Sequence, residues 1–345
     1  MNFQVLAVVV VAAVLAACGG GNGGGSKSSN KNWTRGAFPM VSIPTYINTQ
    51  EQVMKYMAQN YWDDFFKLEL DGKEGKNAVH GVDSSTFVGA FGNYARLAYS
   101  AGARAMEAPV AELFRNLDSL ALSGERKPML KVMELMEHYF YDPNSPVLDE
   151  EIYLLALNGI LAAHSLSEVD KLQYEYQHRI CSLNRVGTHG ADFAFRQLVW
   201  GNYLPDDKSL LYSPTPPKGY ADKTLYNNVK GDYTLLFFNN PDCGACGTIL
   251  ETIMNSPLME MVQQKRLAIV AMYTDEDLSA WARNREKYPS EWIYAFDHRL
   301  VLRDNNIYGL RAIPSLYLLD KEKRVILKDA TAEAVIGFLM AGQGI

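Results

Sequence analysis

Two cysteines separated by two residues, Cys243-Gly244-Ala245-Cys246, are the part of this sequence best suited to chemistry. Asn239-Asn240-Pro241-Asp242 precedes them, and a helical pattern from Thr248 to Met254 follows. Further upstream, Tyr233-Thr234-Leu235-Leu236-Phe237-Phe238 is a short apolar run bounded by Asp232 and Asn239. That is the pattern of a strand buried on both faces of a sheet. A buried strand, a short turn and a Cys-x-x-Cys opening a helix is a far more specific arrangement than the cysteine spacing by itself. Unpaired N–H groups at a helix N-terminus, together with the helix dipole, stabilise a thiolate. Cys243 is therefore expected to ionise more readily than a free thiol and to attack disulfides. Cys246, one turn further on, can attack the resulting mixed disulfide and release the product.

The other residues with chemical potential lack such an arrangement. Cys181 stands alone beside Ile180, late in a helical stretch, and reads as a small buried hydrophobe. The alternative is a regulatory partner for the later pair. His80, His138, His164 and His178 fall in different segments without metal-ligand spacing, as surface or internally satisfied histidines do. Zinc usually takes four protein ligands, or three and a water. One Cys-x-x-Cys supplies two, no second pair exists, and His298 is a poor completion, so neither a metal nor another cofactor is expected. The aromatic cluster from Tyr61 to Phe66 reads as a core stripe rather than a ligand site.

Composition bounds the remaining possibilities. A chain of 345 residues suggests two domains, and 48% hydrophobic residues supply ample core. A net charge of −6 argues against a nucleic-acid partner, which would call for a basic patch. Four cysteines are too few for a disulfide scaffold.

The first cysteine has a different setting. Phe3 to Ala17 is an apolar run broken by Gln4; at about fifteen residues it falls short of the roughly twenty needed to span a bilayer. It has the length of a signal-peptide core. Its end, Leu15-Ala16-Ala17-Cys18, resembles a bacterial lipobox, which implies cleavage before Cys18 and acylation of that residue. No Lys or Arg precedes the run, a departure from the usual signal. Several acyl chains, at about 0.8 kcal/mol per buried methylene, make a durable anchor. The Gly/Ser-rich stretch after Cys18 reads as a flexible tether through residue 42. It lacks an acidic cluster next to the cysteine, which favours a periplasmic orientation in the cell envelope.

Helical spacing dominates 43–183. Thr49 with Gln52 resembles a capping box. Apolar sets follow at Phe87-Phe91-Tyr94-Leu97 and at Val110-Leu113-Phe114-Leu117, with Pro109 read as first turn. Met129 to Met136, Glu150 to His164, and Ser167 to about Leu183 complete five to six helices, an all-α bundle. The pattern then changes. Pro205 to Pro217 reads as an irregular loop, Leu267 to Tyr273 as a second buried strand, and Trp292 to Phe296 as a short third. Ser315–Leu319 and Arg324–Leu327 flank a polar turn, and Thr331 to Met340 reads as a closing helix. The order is β-α-β-α-β-β-α, an α/β domain over 184–345 with a central mixed sheet flanked by helices.

Four features of that segment resemble the TlpA/ResA-like thioredoxin superfamily of envelope oxidoreductases. They are Ala191-Asp192-Phe193 in a leading hairpin, Lys230-Gly231 just before the buried strand, the Cys-x-x-Cys, and Ala312-Ile313-Pro314. The resemblance implies that Pro314 is a cis-proline opposite the cysteines and that the Ile313 backbone pairs with a bound peptide. A helical domain ahead of the redox domain also resembles a group of thioredoxin-like bacterial lipoproteins. The implied partners are envelope protein thiols or disulfides and a membrane-linked or soluble redox donor or acceptor.

Two positions depart from the thioredoxin pattern. Asp242 stands where tryptophan is frequent, and a carboxylate there is expected to raise the pKa of Cys243. Phe237 occupies the position of the buried acid; Glu251 is a candidate substitute, with an exposed helix residue as the simpler reading. The reading is a membrane-anchored thiol–disulfide oxidoreductase, its direction open. A binding module with a static disulfide is the alternative, and a metal site and a peroxidase are weaker ones.

Overall fold

Apolar residues at helical spacing build the N-terminal part of the chain, which the computed structural model describes, with the rest, over 36–70, 77–199 and 209–342. The expected signal peptide, Cys18 and most of the tether lie outside those residues. Contacts divide the chain into two compact units, with the division between Cys181 and Ser182. No helix among the described residues is long and apolar enough to cross a membrane.

The first unit contains helices α1 (Gln50–Asn60), α2 (Ser84–Ala101), α3 (Ala103–Leu122), α4 (Lys127–Phe140), α5 (Glu150–Ala162) and α6 (Glu168–Cys181). Thr49 caps α1 by accepting the Gln52 N–H at 3.2 Å, and Asp149 caps α5 by accepting those of Glu151 and Ile152. The aromatic cluster is core: Tyr61, Trp62 and Phe65 are buried, and Trp62 meets the rings of Phe38 and Tyr94 at 5.4 and 5.3 Å. Cys181 is fully buried in the same core.

Two details refine the helical reading. A small hairpin, β1 (Ala78–Val79) with β2 (Val82–Asp83), precedes α2. Its turn residues His80 and Gly81 both have positive φ, the conformation a two-residue hairpin turn demands. Pro109 lies inside α3 rather than in its first turn, because Gly102 ends α2 and the next helix begins at once. The buried Val110, Leu113, Phe114 and Leu117 hold α3 together past the missing N–H.

The second unit is built on a seven-stranded sheet. Its strands are β3 (Ala194–Leu198), β4 (Tyr220–Thr224), β5 (Tyr233–Asn239), β6 (Leu267–Tyr273), β7 (Ile293–Phe296), β8 (Ser315–Asp320) and β9 (Val325–Leu327), in spatial order β4-β3-β7-β6-β5-β8-β9. Helices α7 (Gly244–Met254), α8 (Leu258–Gln263), α9 (Leu278–Arg283) and α10 (Ala332–Ala341) accompany it. Strand β5 runs parallel to β6 and antiparallel to β8. Its side chains alternate between two cores: Leu235 and Phe237 join the cluster that contains Cys246, Leu250 and Ile253 of α7, while Leu236 and Phe238 join the other. Burial on both faces explains the unbroken apolar run.

The leading hairpin, expected from the resemblance though absent from the strand order read from pattern, is β3–β4, which extends one edge of the sheet through β7. Tyr220–Thr224 carries alternating polar residues and turn neighbours, a weak strand signal for an edge. Nor is 205–217 wholly irregular. Residues Ser209–Tyr212 form a helical turn that buries Leu210 and Leu211, while Trp200 to Lys208 lie outside the described residues. The turn is held by fully buried Arg196, which donates to the Leu210 and Ser213 carbonyls at 2.9 and 3.1 Å and to both Asp222 oxygens.

Lys230-Gly231 has a packing reason. A Cβ on Gly231 would stand 2.9 Å from the Tyr233 carbonyl oxygen and 3.1 Å from that of Arg266, where β5 and β6 begin side by side. Gly231→Ala is expected to destabilise the second unit by about 1–3 kcal/mol, the range for overpacking, as checked by denaturant unfolding.

Candidate functional site: a dithiol at a helix N-terminus

Strand β5 ends at Asn239, and the chain turns through Asn240 to Asp242 before α7 begins at Gly244. The Cys243 N–H donates to the Asn240 carbonyl at 2.9 Å, which closes the turn and makes Cys243 the N-cap of α7. Both cysteines are thiols here. Cys243 is partly exposed, whereas Cys246 is 1% exposed and packs in the core beneath the sheet end.

The two thiols are tuned in opposite directions. Cys243 is held below the ordinary thiol range, chiefly because the backbone N–H of Cys246 donates to its sulfur. Burial opposes this, and the Cys246 thiol and the Ala245 N–H add to the lowering. These donors are the free first-turn groups of α7. Cys246 is pushed up to about 12, first by burial. The Asn240 N–H, 3.4 Å from its sulfur, works against that rise, while Cys243 and Asp275 add to it. As pH rises, the outer sulfur is the first of the two to ionise.

The β5–β8 register places the proline. Phe238 pairs with Ser315, so Ile313 and Pro314 stand beside the end of β5, where the cysteine turn starts. The Ile313–Pro314 bond is cis, and Ile313 packs on the same core cluster as Cys243.

Neither suggested modulator acts on Cys243. The Asp242 carboxylate is engaged by other partners: Asn284 donates to it at 2.8 Å and Arg283 at 3.2 Å, both from the end of α9. Its charge raises the nearby phenols of Tyr273, Tyr288 and Tyr294, but it is not among the causes that shift Cys243, whose pKa falls rather than rises. Glu251 is exposed on α7. Five residues beyond Cys246 it lies about 140° around the helix, on another face, and it too contributes to neither thiol.

Sequence reasoning passed over the polar groups that do surround the buried thiol. Asn239 is 2% exposed and donates to the Phe237 carbonyl at 2.9 Å, while accepting the Tyr288 hydroxyl at 2.7 Å. Asn240 donates through Nδ2 to Asp275 at 2.8 Å. Asp275 follows the second buried strand directly. Parallel strands deliver their C-terminal loops to one sheet end, a signal that could have found it. His298 lies elsewhere, donating from Nε2 to the Ser213 carbonyl at 2.9 Å. Among the described residues no group of three or more His, Cys, Asp or Glu side chains is placed to hold a metal ion.

Comparisons with known proteins agree with this architecture. Residues 18–184 match the family model described as "Domain of unknown function (DUF5106)". A thioredoxin-like protein from Bacteroides caccae is 28% identical with a TM-score of 0.74, covering 88% of this chain and 98% of its own. The C-terminal domain of an uncharacterized protein from Bacteroides fragilis is 37% identical over 46% of this chain and 98% of its own, with a TM-score of 0.38. The thioredoxin domain of a thiol-disulfide oxidoreductase from Bacteroides vulgatus is 16% identical over 46% of this chain and 97% of its own, with a TM-score of 0.36. No curated protein matches the sequence.

The tuning can be read directly. Iodoacetamide should label Cys243 with a pH midpoint below the ordinary thiol value of about 8.5, while Cys246 stays unlabelled until well above it. Asp242→Asn should leave the Cys243 midpoint within about half a unit. A fall larger than that would restore the carboxylate to an active role.

Proposed function

We propose that this chain, whose second unit has a thioredoxin-like fold and whose residues 18–184 match the DUF5106 model, exchanges disulfides with envelope proteins while anchored to the membrane through Cys18. The observation that carries the reading is the pairing of a partly exposed, acid-shifted Cys243 at a helix N-terminus with a buried, protonated Cys246 one turn behind it.

Cys243 attacks a substrate disulfide as the thiolate, forming Cys243–S–S–R and releasing the other substrate thiol. Cys246 then attacks the Cys243 sulfur, closing the internal disulfide, and the second substrate sulfur leaves as a thiolate. A separate dithiol returns the pair to its reduced form in the catalytic cycle; running the steps backwards oxidises a substrate. Ile313 and Pro314 border the turn where the substrate chain must lie, and the Ile313 backbone is available to pair with it. The fold, shared with the thioredoxin-like protein from Bacteroides caccae, supports this class of chemistry. The anchor rests on the lipobox-like Leu15-Ala16-Ala17-Cys18 and its apolar leader, and places the work in the cell envelope, on the periplasmic side.

Cys246→Ser, expressed full length in its own envelope, should accumulate a mixed disulfide that runs as a slower band on non-reducing gels and collapses with dithiothreitol. The further change Cys243→Ser should abolish the band. If Cys246→Ser forms no adduct, the exchange reading fails. For the anchor, labelling with radioactive palmitate should mark the wild-type protein and not Cys18→Ser; a wild-type protein that takes up no label would exclude acylation of Cys18 as the attachment.

A further inference from the structure

Closing the Cys243–Cys246 disulfide requires Cys246 to lose its proton, yet burial holds that thiol protonated at neutral pH. Resolution therefore needs a base close to the buried sulfur. Phe237, fully buried on β5, cannot serve. The groups around the pair are few. Cys243 is itself in the mixed disulfide at that moment. Asp242 is clasped by Arg283 and Asn284. Tyr288 already donates its hydroxyl proton to Asn239, and burial keeps that phenol protonated. Tyr273 donates to the Asp277 carbonyl and is likewise held protonated by burial. Of the loop acids, Glu276 is paired with Arg303 at 2.8 Å, and Asp277 caps α9 through Ser279.

Asp275 is the remaining acid. It is partly exposed, so solvent reaches it. One of its oxygens accepts from the Asn240 side chain at 2.8 Å, and the backbone N–H of the same Asn240 points at the Cys246 sulfur from 3.4 Å. One residue therefore ties both groups to one corner of the sheet. Its charge is felt at the buried thiol. The parallel register of β5 and β6, with Asn239 opposite Tyr273, brings the two loops out together.

We propose that Asp275 takes up, through an intervening water, the proton that Cys246 gives up as it resolves the mixed disulfide, with Asn240 holding the carboxylate in place. The inference rests on the exchange function proposed above. The step balances: the Cys246 S–H bond breaks, its electron pair forms the bond to the Cys243 sulfur, and the Cys243–S–R bond breaks to leave R–S⁻. The proton passes to the water, and a proton of that water passes to Asp275, which becomes neutral. In the reverse direction neutral Asp275 returns a proton to Cys246. The carboxylate thus takes the part of an acid on β5, from a loop on the neighbouring strand.

The reduced full-length protein in detergent micelles, mixed with 5,5′-dithiobis(2-nitrobenzoate), reports both steps by stopped flow. Attack by Cys243 releases one coloured thiolate, and resolution by Cys246 releases the second. In Asp275→Asn the first phase should keep its wild-type rate, while the second slows at least about tenfold at pH 7, a modest share of what general-base catalysis supplies. The variant's second phase should rise about tenfold per pH unit between pH 6 and 9, hydroxide being the base left, against a flatter wild-type profile. Asp275→Glu should recover part of the loss. A second phase within twofold of wild type, or faster because an opposing charge has been removed, would overturn the proposal. So would equal slowing of both phases, the mark of a merely structural role. A wild-type protein that releases no second thiolate would instead sink the exchange function itself.

Discussion

The site hangs on the two hydrogen-bonded ladders of strand β5. One edge of the strand is zipped in parallel to β6 and the other antiparallel to β8, and both faces are buried. A strand so enclosed has no freedom to slide, because a one-residue slip would send each apolar side chain to the opposite core. The positions of everything at its C-terminal end follow. The cysteine turn begins where β5 ends, Pro314 lies where β8 begins, and the loop with Asp275 leaves β6 at the same edge. Three segments distant in sequence thus meet through backbone register rather than through contacts of their own.

That placement creates an electrical asymmetry between two chemically identical side chains. Cys243 sits before the first turn of α7, among N–H groups that lack helical partners, and its thiolate is stabilised there. Cys246 is one turn inside the same helix and faces the core, where a charge is penalised by burial. Asp242 could have upset the arrangement but is engaged by the end of α9, so it pins the turn and leaves the thiolate alone. That engagement, across 41 positions of sequence, is visible only when both partners are seen.

The N-terminal unit solves a different problem. Its core is rich in rings, with Phe38, Tyr61, Trp62, Phe65, Phe87, Phe91 and Tyr94 in mutual contact, and it carries no comparable grouping of reactive side chains among the described residues. His80, read from sequence as surface or internally satisfied, is buried and bonded to Glu125 at 2.7 Å. Its cysteine, Cys181, is a core residue.

The residue order by itself determined the local events. A wholly apolar run meant a strand buried on both faces, the cysteines after it meant a helix opening on a thiol, and helical spacing marked each helix of the first unit. These are legible because burial and hydrogen bonding act within a few residues and leave a periodic trace. The edge hairpin β3–β4 left little trace, since edge strands are short and polar. The helical turn at 209–212 depends on Arg196, thirteen or more positions upstream, and no local pattern announces it. At the site, sequence located the two cysteines and the proline and read Glu251 as a residue that could be an exposed helix position, as it is, but it expected Asp242 to raise Cys243 and overlooked Asn240 and Asp275. An electrostatic role depends on distance and on the neighbouring counter-charge, both of which fall off over a few ångströms and take no account of chain position. Only the folded sheet, by bringing β6 and α9 beside the end of β5, decided which carboxylate faces a thiol and which faces an arginine.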